Sequence, residues 1–350
     1  MRTLLLLPLL LATLAAPRPT LAEEPEAPSN PDTASLSLPV EREIPASGQM
    51  MEAIVVSGEL PGPGLWRISK GEHFMWVLGT QYPLPKRMTW VSREVEQAVI
   101  ESQEVLLPPR ASLTTKIGWF KGMLLLPAAM GSRKNPDKEK LVDVVPPELY
   151  ARWLPLKAKY IGRSRSIEKQ RPLFASQKLY EKAIKRAGLS NDSIVYPLIK
   201  KTAKKHEIPM SNPEIKVDIG DPKQAIKDFA KTSLDDLDCF AKTLDRLESD
   251  LDTMRDRANA WATGDIEALR GLPFSDQNQA CADAILKSQV TRERGLDDLF
   301  DRLKAGWLDA AETAIAKNQT TFAVLPMSLI LRSDGYVEAL RARGYEVEEP

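Results

Sequence analysis

Short apolar runs near both ends of the chain predict the strands of one sheet. Residues 65–69 and 74–79 flank a polar turn and therefore predict a β-hairpin. The second of these runs is apolar on both faces, which is typical of a central strand. The predicted strands are residues 51–59, 65–69, 74–79, 104–107, 321–325 and 345–347.

Apolar residues at three- and four-residue spacings predict helices through the middle of the chain. Helices are expected at about 92–101 and 336–343, over much of 147–186, and as one long run over 221–257, with a strand at 215–219. The predicted fold class is therefore α/β (α+β). We expect a mixed central sheet built from the N- and C-terminal segments, with a helical middle region inserted at about 147–315.

The first 22 residues differ from the rest. Arg2 precedes an apolar run over residues 4–16 that is too short to cross roughly 30 Å of hydrocarbon. It predicts a signal peptide over 1–22, cleaved after Ala22 with Ala16 as the second choice, and then a Pro-rich flexible linker over 23–52. We expect a single domain over 53–350, no transmembrane segment after signal removal, and a periplasmic or secreted mature chain.

Composition narrows the function classes. The 350 residues are 43% apolar and 27% charged, which excludes a wholly disordered chain. Lys plus Arg and Asp plus Glu each number 48, so no bulk positive charge favours nucleic acid. Charge is nevertheless segregated, because residues 133–206 hold 19 basic and 7 acidic side chains. This predicts either an anionic partner, such as a polysaccharide or a lipid head group, or a solvated helical face.

Cys239 and Cys281 are the only cysteines. In an exported chain they are predicted to form a disulfide between neighbouring helices, and two separate buried thiols are the alternative.

Several motifs, in this order along the chain, resemble the TraB/GumN family, which includes the TIKI-type metalloproteases. The resemblance covers about residues 65–348 and implies the fold described above. The motifs that carry it are Leu-Trp-Arg-Ile-Ser at 65–69, Trp-Val-Leu-Gly-Thr at 76–80, Trp-Ala-Thr-Gly-Asp at 261–265, Arg302 and Trp307, Thr-Phe-Ala-Val at 321–324, Asp-Gly-Tyr-Val at 334–337 and Gly-Tyr-Glu-Val at 344–347.

The family resemblance implies a divalent metal held by two Gly-x-x-His motifs and a Glu. This sequence departs from that pattern at each position. Tyr82 stands where the first His is expected, Pro108 where the Glu is expected and Ser328 where the second His is expected. The two histidines, His73 and His206, match neither motif. We therefore predict a degenerate metal site and no cofactor.

The first hypothesis is a non-catalytic binding or scaffolding protein of the cell envelope, whose partner is an envelope protein or an anionic polysaccharide. The alternative is a divergent hydrolase with a rearranged site using Tyr82, Ser328 and Arg302. A weaker third hypothesis is that residues 52–58, which resemble the box with which outer-membrane receptors engage TonB, bind that protein, although an edge strand leading into the sheet is the favoured role for them. The candidate site positions are Gly79, Thr80, Gln81, Tyr82, Pro108, Arg302 and Ser328. They either line a metal-free cleft or, for Tyr82 and Ser328, fill the former cavity.

Overall fold

The part of the chain that the structure describes contains ten strands. The computed structural model describes residues 60–350 except 116–117, 250 and 273–276. The predicted signal peptide, linker and first strand therefore lie outside the described residues, as does the segment compared with the TonB box. The strands are β1 (Leu65–Lys70), β2 (His73–Thr80), β3 (Leu84–Pro85), β4 (Glu104–Leu106), β5 (Arg110–Thr114), β6 (Leu189–Ser190), β7 (Met210–Ser211), β8 (Glu214–Asp218), β9 (Thr320–Pro326) and β10 (Glu346–Glu348).

Helices make up most of the remaining described chain. They are α1 (Arg93–Ile100), α2 (Trp119–Gly131), α3 (Leu141–Val144), α4 (Pro147–Tyr160), α5 (Pro172–Arg186), α6 (Val195–Lys205), α7 (Pro222–Lys231), α8 (Leu237–Ser249), α9 (Leu251–Thr263), α10 (Ile266–Gly271), α11 (Gln277–Leu286), α12 (Gln289–Arg292), α13 (Leu299–Lys317), α14 (Met327–Leu331) and α15 (Tyr336–Ala342).

The main sheet has six strands in the order β10-β1-β2-β9-β4-β7. β1 pairs antiparallel with β2 and β10, whereas β2, β9, β4 and β7 run parallel to one another. Its central strand β9 buries every residue but the last, as expected for a strand covered on both faces. The α/β class and the mixed sheet are therefore confirmed.

The two largest apolar cores of the described residues lie in different parts of the fold. The larger packs against the sheet and includes the fully buried Trp66, Trp261 and Trp307. The second lies among the helices of the middle region, around Trp153 and Phe240. The sheet and the helical region thus each have apolar packing of their own.

Some predicted elements differ from the structure. β7 comes from the middle of the chain, so the two ends supply five of the six strands. The helical run expected over 221–257 is divided among three helices, since α7 ends at Lys231, α8 covers Leu237–Ser249 and α9 begins at Leu251. His73 begins β2 and does not lie in the turn. Neither β5 nor α2 is predicted by the sequence patterns, and α2 exposes Met123, Leu124, Leu126 and Met130.

The predicted disulfide is confirmed. Cys239 on α8 and Cys281 on α11 are bonded, with their Cα atoms 4.5 Å apart. The bond therefore joins two helices that are 42 residues apart in sequence. Within the described residues, no helix is both long and apolar enough to cross a membrane.

Candidate functional site

The carboxyl ends of β2 and β9 meet at one edge of the sheet. The two strands are parallel and in register, so that Thr80 lies beside Pro326. The chain leaves β2 through Gln81 and Tyr82, and it leaves β9 directly into α14, which carries Ser328 in its first turn. Ligands of open α/β sheets bind at this edge, where several chain segments diverge.

A cavity of about 430 Å³ opens at this edge, and we call it the strand-end cleft. Thr80, Gln81, Tyr82 and Ser328 line its sheet side. Its helical side comes from α8, α9 and α11 and includes two arginines and two amides: Arg246, Arg257, Asn278 and Gln279. The structure thus brings four of the seven candidate positions together.

Tyr82 is partly buried, and burial raises the pKa of its phenol above the ordinary value of 10.0. The neighbouring hydroxyls of Ser193 and Thr80 offset this rise in part. The phenol is therefore protonated at neutral pH. In that form it can donate a hydrogen bond, but it is a poor ligand for a divalent cation.

Gly79 shapes the cleft without lining it. A Cβ at this position would lie 2.4 Å from Cε of Met327, so a larger residue would displace the end of that side chain between β2 and α14. Its carbonyl oxygen accepts a hydrogen bond of 2.8 Å from Nε1 of Trp261, which is fully buried on α9. Gly79 therefore joins the end of β2 to the helix that carries Arg257.

Pro108 and Arg302 do not line the cleft. The carbonyl oxygen of Pro108 accepts a hydrogen bond of 2.6 Å from Nδ2 of Asn212. Arg302, in the first turn of α13, forms an ion pair of 3.0 Å with Asp298 and donates to the carbonyl oxygen of Gly295. The polar groups of both residues therefore have partners outside the cleft.

Neither histidine lines the cleft. Nδ1 of His73 lies 2.8 Å from the carbonyl oxygen of Asn318, at the opposite end of β2. His206 directly follows α6, as its C-cap residue. The structure therefore places no imidazole beside Tyr82 or Ser328.

Arg246 was not identified from the sequence. It is only 7% exposed, and its Nη1 donates a hydrogen bond of 2.8 Å to Oε1 of Gln277. Its guanidinium carbon lies 4.9 Å from the centre of the Tyr180 ring. The Nε atom of Arg246 is buried and has no hydrogen-bond partner. A buried charge with an unused donor at a cleft is a candidate ligand-binding group.

A chain of hydrogen bonds connects Arg246 to the disulfide. Nε2 of Gln277 donates a hydrogen bond of 2.8 Å to the hydroxyl of Thr243. That hydroxyl donates a hydrogen bond of 2.7 Å to the carbonyl oxygen of Cys239. Because Cys239 is bonded to Cys281 on α11, the network fixes α8 and α11 relative to each other. It thereby sets the position of the Arg246 guanidinium.

The sequence model of the TraB/PrgY/gumN family matches residues 64–349, most of the chain. The chain belongs to this family. The resemblance found in the sequence motifs is therefore confirmed at the level of the family. No curated protein and no solved structure matches the chain.

Membership of the TraB/PrgY/gumN family directs attention to the strand-end cleft, where the family resemblance implies metal ligands. Among the described residues, no group of three His, Cys, Asp or Glu side chains could hold a metal ion. Tyr82 and Ser328 offer a protonated phenol and a hydroxyl, and the charged groups beside them are arginines. These residues do not fit a divalent metal.

Proposed function

We propose that the protein is a non-catalytic binding protein of the cell envelope, with the strand-end cleft as its ligand site. The observation that carries the proposal is the lining of the cleft, where Tyr82 and Ser328 stand on one side and arginines on the other. Metal-dependent hydrolysis needs ligands that can bind the cation and leave a position open for water. A cavity with a positive wall and neutral hydroxyls is better suited to holding a ligand.

The degenerate metal site is part of this proposal. Arg246 and Arg257 are both almost fully buried at the cleft, at 7% and 4% exposed. Because a guanidinium stays protonated in proteins, both groups repel a cation in this cavity. The raised pKa of Tyr82 acts in the same direction, since it disfavours the phenolate that a metal would require.

Export is the second part of the proposal. The apolar segment at residues 1–22 has the composition of a signal peptide, and residues 23–52 have that of a linker. The disulfide between Cys239 and Cys281 suits an oxidising compartment. We assign the family domain to residues 53–350, with its helical region at about 147–315, and the protein to the periplasm or the exterior of the cell.

Metal analysis of the purified mature chain tests the first part. We expect substoichiometric Mn, Co and Zn by mass spectrometry, both as isolated and after incubation with each metal and removal of the excess. A peptidase and esterase screen of the same sample is expected to show no activity that depends on Ser328. Stoichiometric metal, or hydrolysis abolished by Ser328→Ala, would show that the protein is an enzyme.

Fractionation of expressing cells tests the second part. The full chain is expected in the periplasmic or extracellular fraction, with an N-terminus at Glu23. A variant lacking residues 2–22 should stay in the cytoplasm. An uncleaved full-length chain recovered only from the cytoplasm would overturn the assignment to the envelope.

A further inference from the structure

We propose that the strand-end cleft binds a small organic oxyanion, whose phosphoryl or carboxyl group is held by Arg246 and Arg257. The inference rests on the proposed function, because it names the ligand class of the same cleft. It concerns residues on α8 and α9 that are not part of the motifs through which the family resemblance was found.

The first support is the state of Arg246. Its side chain is more than nine-tenths buried, its Nη1 donates to the neutral amide of Gln277, and its Nε donor is unused. Burying a charge without a partner of opposite sign is costly. An oxyanion in the cleft would supply both the opposite charge and an acceptor for Nε, in the bidentate geometry that guanidinium favours.

The second support is the charge of the whole cleft. Arg257 lies 4% exposed on α9, and Arg332, held by two hydrogen bonds from its guanidinium to Asp334, lies at the sheet side. Three arginines therefore line the cavity. No Asp or Glu stands among its described lining residues. Positive groups converging on a partly enclosed cavity concentrate anions there.

The third support is the set of neutral groups around the arginines. Asn278, Gln279 and Ser328 can donate hydrogen bonds to oxygen atoms, and the protonated phenol of Tyr82 can do so as well. These groups suit the remaining oxygens of a phosphoryl group or the hydroxyls of a sugar. A cation would find few acceptors beside the same arginines.

The size of the cleft and its apolar residues indicate that the ligand is larger than a bare ion. The volume of about 430 Å³ lies within the range of pockets for small organic molecules. Phe300 and Leu329 offer apolar surface at the same cavity. The structure therefore favours an organic molecule with one charged end, such as a sugar phosphate, a uronic acid or an aryl phosphate.

Calorimetric titration of the mature chain tests the proposal with defined probes. Phenyl phosphate and glucose 6-phosphate represent the phosphoryl arm, and glucuronate represents the carboxyl arm. Benzyl alcohol and glucose are the uncharged counterparts. We expect at least one anionic probe to bind with one-to-one stoichiometry, and its uncharged counterpart to bind at least about tenfold more weakly, because the charge-assisted hydrogen bonds are lost.

Two substitutions locate the site. Arg246→Gln should weaken binding of the same probe at least about tenfold. Arg246→Lys keeps the charge but loses the planar guanidinium, so its affinity should lie between those of Arg246→Gln and the wild type. Arg302→Gln is the matched control, since it removes an arginine that does not line the cleft. If Arg246→Gln proves unfolded by circular dichroism, Arg257→Lys replaces it, with weaker binding again expected.

The outcomes separate this inference from the proposed function. Failure of every anionic probe to bind, or equal loss in the Arg246 and Arg302 variants, would overturn the oxyanion site and leave the metal analysis unaffected. Stoichiometric metal in the purified protein would overturn the non-catalytic assignment instead. An anionic probe that binds equally well to the wild type and to both Arg246 variants would show that the ligand is held elsewhere.

Discussion

The two sides of the strand-end cleft are built in different ways. The sheet side includes Thr80, Gln81, Tyr82 and Ser328. It lies at the ends of the parallel strands β2 and β9, which bury most of their residues. On the helical side, α8, which carries Arg246, is joined to α11 by the disulfide and by a chain of hydrogen bonds between polar groups. Apart from Arg332, whose guanidinium donates to Asp334, the sheet side supplies uncharged groups, while the helical side supplies the buried Arg246 and Arg257.

The sheet therefore determines where the cleft lies, whereas the polar residues of this chain determine what the cleft can bind. The hairpin and β9 define the edge at which a ligand would bind, and their apolar packing does not depend on which polar groups follow them. Arg246 and Arg257 come from the helical region, so the charge of the cleft can change there without any change in the sheet. Perturbing each side separately should therefore give distinct results.

The largest expected effect comes from the contact between the two sides. Trp261 is fully buried and donates from α9 to the carbonyl oxygen of Gly79 at the end of β2. Trp261→Ala should lower the free energy of unfolding by about 3–5 kcal/mol, because it opens a large cavity and removes the hydrogen bond. Urea unfolding followed by far-UV circular dichroism measures the loss.

Two further variants make this result specific. Trp261→Phe keeps most of the apolar contact and should cost about 1–2 kcal/mol, mainly for the lost hydrogen bond. Phe300→Ala, at a side chain that is 45% exposed, should cost less than about 1 kcal/mol. If Trp261→Ala were no more destabilising than Phe300→Ala, the two sides would not be coupled through this residue.

The next largest effect is expected from removing the disulfide, which lies on the helical side alone. Replacing both cysteines, as in Cys239→Ala with Cys281→Ala, should lower the free energy of unfolding by about 2–4 kcal/mol. Hydrogen exchange is expected to quicken first in α8 and α11, while β2 and β9 keep their protection, since the bond joins two helices and constrains no strand of the sheet. Equal loss of protection in strands and helices would contradict the distinction between the two sides.

Sequence patterns predicted the sheet side better than the helical side for a physical reason. Residues 74–79 and 321–325 are continuous apolar runs, and the chain immediately after them must emerge at the sheet edge. Tyr82 and Ser328 therefore reach the cleft by short local connections. Pro108 also follows a buried strand, yet its carbonyl is occupied by Asn212, a contact that depends on residues 104 positions away.

The arginines of the helical side lack such a local signal. Arg246 and Arg257 are separated by 11 residues, or three turns of a continuous helix, and the leucines around them predicted only core packing. The chain divides into α8 and α9 between them, so their meeting at the cleft depends on how the two helices pack. The signal available in the sequence was the whole-turn spacing of two arginines beside an apolar stripe.

The smallest expected effects are opposite pH dependences on the two sides. Asp236 precedes α8 and accepts a hydrogen bond of 2.8 Å from the backbone nitrogen of Leu173, and burial raises its pKa above the ordinary 3.8. The folded state then binds this proton more tightly than the unfolded state, so the carboxyl lowers stability as the pH rises above about 3.8. Asp236→Asn should therefore gain stability relative to the wild type between pH 3 and pH 7.

Asp334, beyond α14 on the sheet side, should behave in the reverse way. Hydrogen bonds from Arg332 lower its pKa below 3.8, so the carboxylate stabilises the folded state at neutral pH, and this contribution is lost as the pH falls through the lowered value. Asp334→Asn should be slightly less stable than the wild type at pH 7, with the difference shrinking in acid. Unfolding curves of the wild type and both variants across this pH range measure the two slopes. The stability differences of Asp236→Asn and Asp334→Asn from the wild type should change in opposite directions with pH. A change in the same direction would show that burial does not raise the pKa of Asp236 or that Arg332 does not lower the pKa of Asp334.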